Sequence, residues 1–227
     1  RDFSEDTYRV LTAVDSALMV IDCTKGVEPQ TIKLLEVCRA RKTPIITFVN
    51  KLDREGRNPL ELIDEIEHIL QIKCSPITWP IGMGKRLAGI FDIKKNQTIL
   101  YKTRGPEGAE VFDTVDGFAK EQLEAVNSLA FKDASDEIDL IRSDAREFQR
   151  ESFLKGECSP VFFGSAINNF GIEKILDALV EEAPPPSARY AVERKVNPTE
   201  SNFSAFVFKI QANMDHQHRD RIAFLRL

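Results

Sequence analysis

Apolar positions along this chain fall into two kinds of run, and the two alternate. Unbroken runs occupy residues 17–22, 45–49, 75–81 and 160–163. Runs with helical spacing lie around them: residues 4–14; residues 29–41, with Ile32, Leu35 and Val37 on one side; residues 59–70, with Leu60, Ile63, Ile66 and Leu70; and residues 171–182. An unbroken apolar run bounded by turn residues predicts a strand buried on both faces, and the 3.6-residue spacing predicts an amphipathic helix. Asn58 and Pro59 stand where a helix cap and a first helical residue belong. Strand and helix in alternation predict a doubly wound parallel sheet, whose ligands sit beyond the carboxyl ends of the strands.

That alternation is interrupted. About 115 residues separate Asn50 from Ser165, where connections of a few residues per element would need far fewer. The surplus reads as an α+β insertion over residues 85–156. Its first part predicts short strands at 89–93, 98–101 and 110–112, and its second part predicts helices at 120–131 and 135–155. The second of these opens on Ser135-Asp136-Glu137, an acidic start that suits a helix dipole. Pro184-Pro185-Pro186 marks a stiff linker within residues 184–202. Residues 203–212 and 222–227 predict two further strands. The expected organisation is therefore a sheet domain over 1–183, a linker over 184–202, and the start of a second, β-rich domain over 203–227.

The candidate chemistry sits at two predicted strand ends. Asn50-Lys51-Leu52-Asp53 follows the strand at 45–49, and Asn-Lys-x-Asp in that place is a pattern that reads guanine. The Asp53 carboxylate can accept two hydrogen bonds at once, from guanine N1–H and the exocyclic amine, whereas adenine would leave it desolvated and unpaired. The Lys51 stem can lie across the base, Asn50 can bridge base and backbone, and Leu52 fills the variable position. The plainer reading of the same four residues is a polar loop after a strand. The second strand end carries Gly164-Ser165-Ala166, whose small side chains let backbone approach a ring and offer an N–H to guanine O6.

The phosphate half of such a site is not in these residues. No Gly-x-x-x-x-Gly-Lys-[Ser/Thr] occurs in the chain. Gly82-Met83-Gly84-Lys85-Arg86 comes nearest, but Arg86 replaces the hydroxyl residue that would bind Mg²⁺, and the segment reads as a turn. Asp53-Arg54-Glu55-Gly56 matches Asp-x-x-Gly in letters only, because Asp53 already belongs to the base-reading loop. No catalytic residue and no metal ligand is assigned within the chain.

Composition narrows the classes. There are 31 Lys and Arg against 36 Asp and Glu, a formal net charge of -5, which gives no global footprint for nucleic acid. Cys23, Cys38, Cys74 and Cys158 show no Cys-x-x-Cys spacing and read as reduced core residues. His68, His216 and His218 lack a metal-ligand pattern. No apolar run reaches the roughly 20 residues that span a bilayer.

Several segments together carry a family resemblance: Asp2 to Arg9, Leu11-Thr12-Ala13-Val14-Asp15, Ile77-Thr78-Trp79-Pro80-Ile81-Gly82, Phe206 to Asp215, and His218-Arg219-Asp220-Arg221. With Asn50-Lys51-Leu52-Asp53 and Ser165-Ala166, they resemble the translational GTPases, and within them the branch that acts in termination. The likeness is weakest over residues 92–150. Asp2-Phe3 resembles the last two residues of the family's Asp-Thr-Pro-Gly-His-x-Asp-Phe segment, and Arg1 departs from it.

The resemblance implies a P-loop-GTPase-type fold with its N-terminal strands missing, and a β-barrel second domain beginning at residue 203. It implies GTP or GDP as ligand, with Mg²⁺, the phosphate loop, the switches and the catalytic histidine upstream of residue 1. On that basis these residues alone are expected not to hydrolyse GTP. It also implies a cytoplasmic protein that works with the ribosome, its ribosomal RNA and class I release factors, promoting recycling of the latter, with no membrane or DNA partner. Two alternatives stand beside it: a translocase resembling elongation factor G, and a non-catalytic interaction module in which residues 50–53 are only a turn. In a family sheet ordered 2-3-1-4-5-6, the strand at 17–21 becomes an edge in this chain, and self-association is expected.

Overall fold

A computed structural model describes residues 3–101, 113–144, 146–212 and 221–227. Arg1, Asp2, His216, His218 and the strand expected at 110–112 lie outside these residues. The chain opens with helix α1 (Phe3–Leu11) and runs through β1 (Ala17–Asp22), α2 (Pro29–Ala40), β2 (Ile45–Asn50), α3 (Pro59–Leu70) and β3 (Lys73–Pro76). Four strands follow, β4 (Thr78–Ile81), β5 (Gly89–Asp92), β6 (Gln97–Leu100) and β7 (Asp113–Asp116). Then come α4 (Lys120–Ser143), α5 (Arg150–Leu154), β8 (Cys158–Phe163), α6 (Ile172–Glu181), the short β9 (Arg189–Tyr190) and β10 (Lys195–Val196), and the pair β11 (Phe206–Ala212) and β12 (Arg221–Arg226).

The main sheet has the order β1-β2-β8-β3, and every pairing in it is parallel. Both faces of its inner strands β2 and β8 are buried, and alternation along them shows how. On β2 and β8, Ile45, Val49, Val161 and Phe163 join one cluster with Leu35 and Cys38 of α2 and Leu62, Ile63, Ile66 and Leu70 of α3. Ile46, Phe48 and Phe162 join the other, with Phe153 of α5 and Ile175 and Ala178 of α6. This is the doubly wound α/β arrangement that the unbroken apolar runs predict. Thr47 and Ser159 are the polar exceptions on these strands, and their hydroxyls meet at 2.6 Å. The Asn58 side chain caps α3 by accepting from the N–H groups of Leu60 and Glu61 at 2.9 and 3.2 Å, with Pro59 as the first helical residue.

The run at 75–81 is not one strand. It divides at Ile77, whose N–H donates to Val161 while its carbonyl accepts from Ile93, so the chain steps from the parallel sheet into an antiparallel one ordered β4-β5-β6-β7. Periodicity cannot reveal this, because both halves are buried: Trp79 and Ile81 are as enclosed as Cys74. Pro80 is tolerated because β4 is an edge strand.

The two helices expected at 120–131 and 135–155 are likewise redistributed. One continuous helix, α4, runs through Ser135, because nothing between Phe131 and Ser135 breaks it and Ala130, Ala134, Ile138 and Ile141 form one buried stripe. Of the second, residues 135–143 belong to α4 and only the five-residue α5 stands apart. Indole Nε1 of Trp79 donates to Glu137 of α4 at 2.8 Å, and the Trp79 ring meets Phe163 edge-on at 5.2 Å, joining helix, antiparallel sheet and parallel sheet at one point.

Candidate functional site

The ends of β1, β2 and β8 place the six predicted residues in one group. Asp22 closes β1 directly beside Asn50, its register partner at the end of β2. The chain then turns sharply. Lys51 takes a left-handed backbone with φ 73°, which costs a non-glycine residue roughly 1–2 kcal/mol and is held from several sides. The Cys23 thiol donates to the Lys51 carbonyl at 3.1 Å. The Leu52 N–H donates to Gly164 O at 3.1 Å, and the Leu52 carbonyl accepts from Gly84 N–H at 2.8 Å. The Leu52 side chain is fully buried, so it anchors the loop and offers no surface to a ligand.

The loop after β8 closes over this turn. The Asn50 side-chain oxygen accepts from Lys51 N–H at 2.7 Å and from Ala166 N–H at 2.9 Å. Ser165 is completely buried, and its hydroxyl donates to Oδ1 of Asp53. Ser165 also exchanges two backbone hydrogen bonds with Phe170, each 2.9 Å, which folds residues 165–170 into a tight loop. Gly164 is required for the approach: a Cβ there would collide with the Phe170 carbonyl and lie 3.0 Å from the Phe48 ring.

Of the backbone N–H groups in this turn, that of Ala166 is already given to Asn50. The next amide, at Ile167 in the short 3-10 turn Ala166–Asn168, has no partner among the described residues, and the Ile167 side chain is 76% exposed.

Three features support the loop in ways that motif reading does not supply. The first is Asp22, which receives Lys51 Nζ on Oδ2 at 2.6 Å and the Thr24 N–H and hydroxyl on Oδ1 at 2.9 and 2.7 Å. Burial works to raise its pKa, but the bonds from Lys51 and Thr24 outweigh it and hold the carboxyl well below the usual carboxylate range. The second is Cys23, whose thiol is pushed up to about 11 by burial and by the charges of Asp22 and Asp53, so it stays protonated and can donate. The third is the Gly82–Arg86 turn, a turn as expected, which props the Leu52 carbonyl and pairs Arg86 with Glu55 at 3.7 Å. The only sequence signal for Asp22 is an acid closing an apolar strand.

The uncommitted groups define what the site can do. Ser165 takes one lone pair of Asp53, leaving a carboxylate with spare acceptor capacity. Asn50 keeps its amide N–H groups, Ile167 its backbone N–H, and the Lys51 side chain is 40% exposed although its ammonium is held. Two acceptors, neighbouring donors and an apolar stem match the edge and face of a purine that carries adjacent N–H donors and a carbonyl. The residues do not fit a Mg²⁺ ion, because both oxygens of Asp22 are already engaged. A cleft of about 630 Å³ lies elsewhere, between the α1–β1 corner and residues 186–206. It is mostly apolar, and its arginines are committed: Arg41 to the Thr12 carbonyl, Arg189 and Arg226 to Asp15.

Comparison with known proteins shows the family of the chain. The family profile of the elongation factor Tu GTP binding domain matches residues 1–185. Peptide chain release factor 3 of Bordetella petrii and of Bordetella pertussis are each 56% identical to this chain over all 227 residues. The chain spans 42% of the length of each of these relatives. A crystal structure from Thermus thermophilus superposes with a TM-score of 0.65 over 99% of this chain and 33% of that one, at 20% identity, a likeness of fold alone.

Proposed function

This chain belongs to the family of elongation factor Tu GTP-binding domains, and from that premise we propose that it supplies the guanine-reading part of a GTP-binding translation termination factor. In this reading Asn50, Lys51 and Asp53 select guanine, Leu52 anchors the loop, and Ser165 and Ala166 close over the base. The observation that carries it is the junction of two loops far apart in sequence: Ser165 bonds Asp53, and Ala166 bonds Asn50, at the carboxyl ends of parallel strands. A polar turn with no ligand to read would not need a fully buried serine aimed at its aspartate. The 56% identity to Peptide chain release factor 3 favours termination over translocation.

The proposed cycle is binding of GTP, hydrolysis stimulated by the ribosome, and promotion of class I release factor dissociation in the cytoplasm. Phosphate and Mg²⁺ are assigned to a segment preceding residue 1, since no Gly-x-x-x-x-Gly-Lys-[Ser/Thr] occurs here. Residues 1–183, 184–202 and 203–227 are proposed as GTPase domain, linker and start of a barrel. The test is a titration of fluorescent GDP, with ADP as competitor, on this chain and on one extended upstream. Binding in the extended chain that GDP displaces and ADP does not is the expected result. Absence of guanine selectivity in both would leave the interaction-scaffold reading in its place.

A further inference from the structure

Lys51 is held at both ends by consecutive residues of one strand terminus. Its carbonyl accepts from the Cys23 thiol at 3.1 Å and its ammonium donates to the Asp22 carboxylate at 2.6 Å. The Asp22 carboxylate is itself fixed, because Thr24 binds Oδ1 twice and so turns Oδ2 toward Lys51. The side chain of Asp22 is 10% exposed and that of Lys51 is 40% exposed. The charged head is therefore tied down while part of the lysine stays open to solvent. An exposed ion pair alone would be worth little. This one is partly buried, charge-assisted and preset by two further bonds, which makes it a device for fixing where a flexible side chain lies.

We propose that Asp22 is a positioning residue for guanine-nucleotide binding: it parks the Lys51 ammonium so that the lysine stem is laid out in advance as a flat surface for the base. This rests on the guanine reading above. A free lysine would have to give up its rotamer freedom on binding, and Asp22 removes that cost beforehand. Loss of Asp22 should therefore weaken nucleotide binding only while Lys51 has an ammonium to hold.

The experiment is a double-mutant cycle on the upstream-extended protein, read as GDP affinity by fluorescence titration, with thermal midpoints recorded for every variant. Asp22→Asn keeps an oxygen for Thr24 but removes the charge. It is expected to weaken GDP about tenfold in the Lys51 protein and to change it less than about twofold in the Lys51→Met background. Equal losses in both backgrounds, or none in the Lys51 protein, overturn the proposal, since a merely structural aspartate would act alike in each. If Asp22→Asn does not fold, Thr24→Ala carries the same cycle. It removes the hydroxyl bond to Oδ1 while the backbone N–H bond remains, so the carboxylate is held less firmly, and it is expected to weaken GDP a few-fold in the Lys51 protein alone, with equal effects in both backgrounds again overturning the proposal. A wild-type protein that binds no guanine nucleotide would instead defeat the guanine reading and this proposal together. Selective binding in the wild type with no coupling defeats only the role given to Asp22.

Discussion

The Ser165 hydroxyl donates to the Asp53 carboxylate across 112 residues of chain. This one bond fixes which way the carboxylate faces and ties the loop after β8 to the loop after β2. If Asp53 reads two adjacent donors on a guanine, its replacement by asparagine reverses half of the pattern, offering an N–H where a xanthine has a carbonyl. Asp53→Asn in the upstream-extended protein is expected to weaken GDP by about a hundredfold, the loss of a charge-assisted pair, and to favour xanthosine diphosphate. Competition titration with both nucleotides checks it, and unchanged GDP affinity removes Asp53 from the site.

Gly164 sets how closely the two loops approach. A methyl group there meets the Phe170 carbonyl and sits 3.0 and 3.1 Å from two atoms of the Phe48 ring. Neither neighbour can yield easily, because Phe48 and Phe170 are buried. Gly164→Ala is expected to cost about 2 kcal/mol by urea unfolding and to weaken GDP through displacement of Ser165. A variant as stable as the parent would show that the loop has slack.

Lys174 and Asp92 form an almost enclosed ion pair at 2.9 Å, with side-chain exposures of 15% and 3%. It links α6, the helix that follows the Ser165 loop, to β5 of the antiparallel sheet. Removing one partner strands the other charge. Lys174→Met is expected to cost about 3 kcal/mol by chemical denaturation. The same change in an Asp92→Asn background, where Asn can still accept from the Lys95 N–H, is expected to cost far less. Equal costs in both backgrounds would mean that the pair is not coupled.

Glu137 gives a pH signature. Burial raises its pKa, and the opposing bonds from Trp79 and Asn58 do not fully offset that; Asp133 pushes in the same upward direction as burial. The folded state therefore binds a proton more tightly than the unfolded chain. Its stabilising share is full below the ordinary glutamate value and is lost as pH rises through the folded value. Asp22 works in reverse: its carboxyl is held low, so its share is present above the ordinary aspartate range and lost as pH falls toward the folded value. Glu137→Gln is expected to flatten the decline in stability just above pH ~4.5, read from urea midpoints between about pH 4 and 7. A parallel pH profile for both proteins would remove Glu137 from the account.

The parallel sheet and the loop at residues 50–53 were legible because their signals are local: apolar runs bounded by turn residues, and four consecutive residues with one chemistry. Asp22 was not legible as a partner of Lys51, because the contact depends on the register that sets Asp22 beside Asn50. The split at Ile77 was hidden for a related reason. A strand leaving one sheet for another stays buried throughout, so hydropathy does not change where hydrogen-bond partners do. In α4 the helix start expected at Ser135-Asp136-Glu137 is not one, because the buried stripe through Ala134 and Ile138 runs on past it. The Ala166 N–H is taken up by Asn50 and that of Ile167 has no partner among the described residues, an outcome of one side-chain bond that no motif encodes.

The edge of the main sheet supplies the remaining prediction. β1 pairs only with β2 in the order β1-β2-β8-β3, so its outer row of N–H and C=O groups has no strand beside it among the described residues. On one face of the same strand Leu18 and Val20 are 42% and 51% exposed, two residues apart and side by side. An apolar edge strand with open backbone groups is a template for pairing with another copy. The 227-residue chain by itself is expected to self-associate in a concentration-dependent way by light scattering. Val20→Lys puts a charge on that edge without touching the core residues Met19 and Ile21 that point to the other face, and it is expected to shift the population toward monomer with the circular dichroism spectrum unchanged. A parent chain that is a monodisperse monomer at high concentration would show that the edge is protected in some other way, and Val20→Lys would then change nothing.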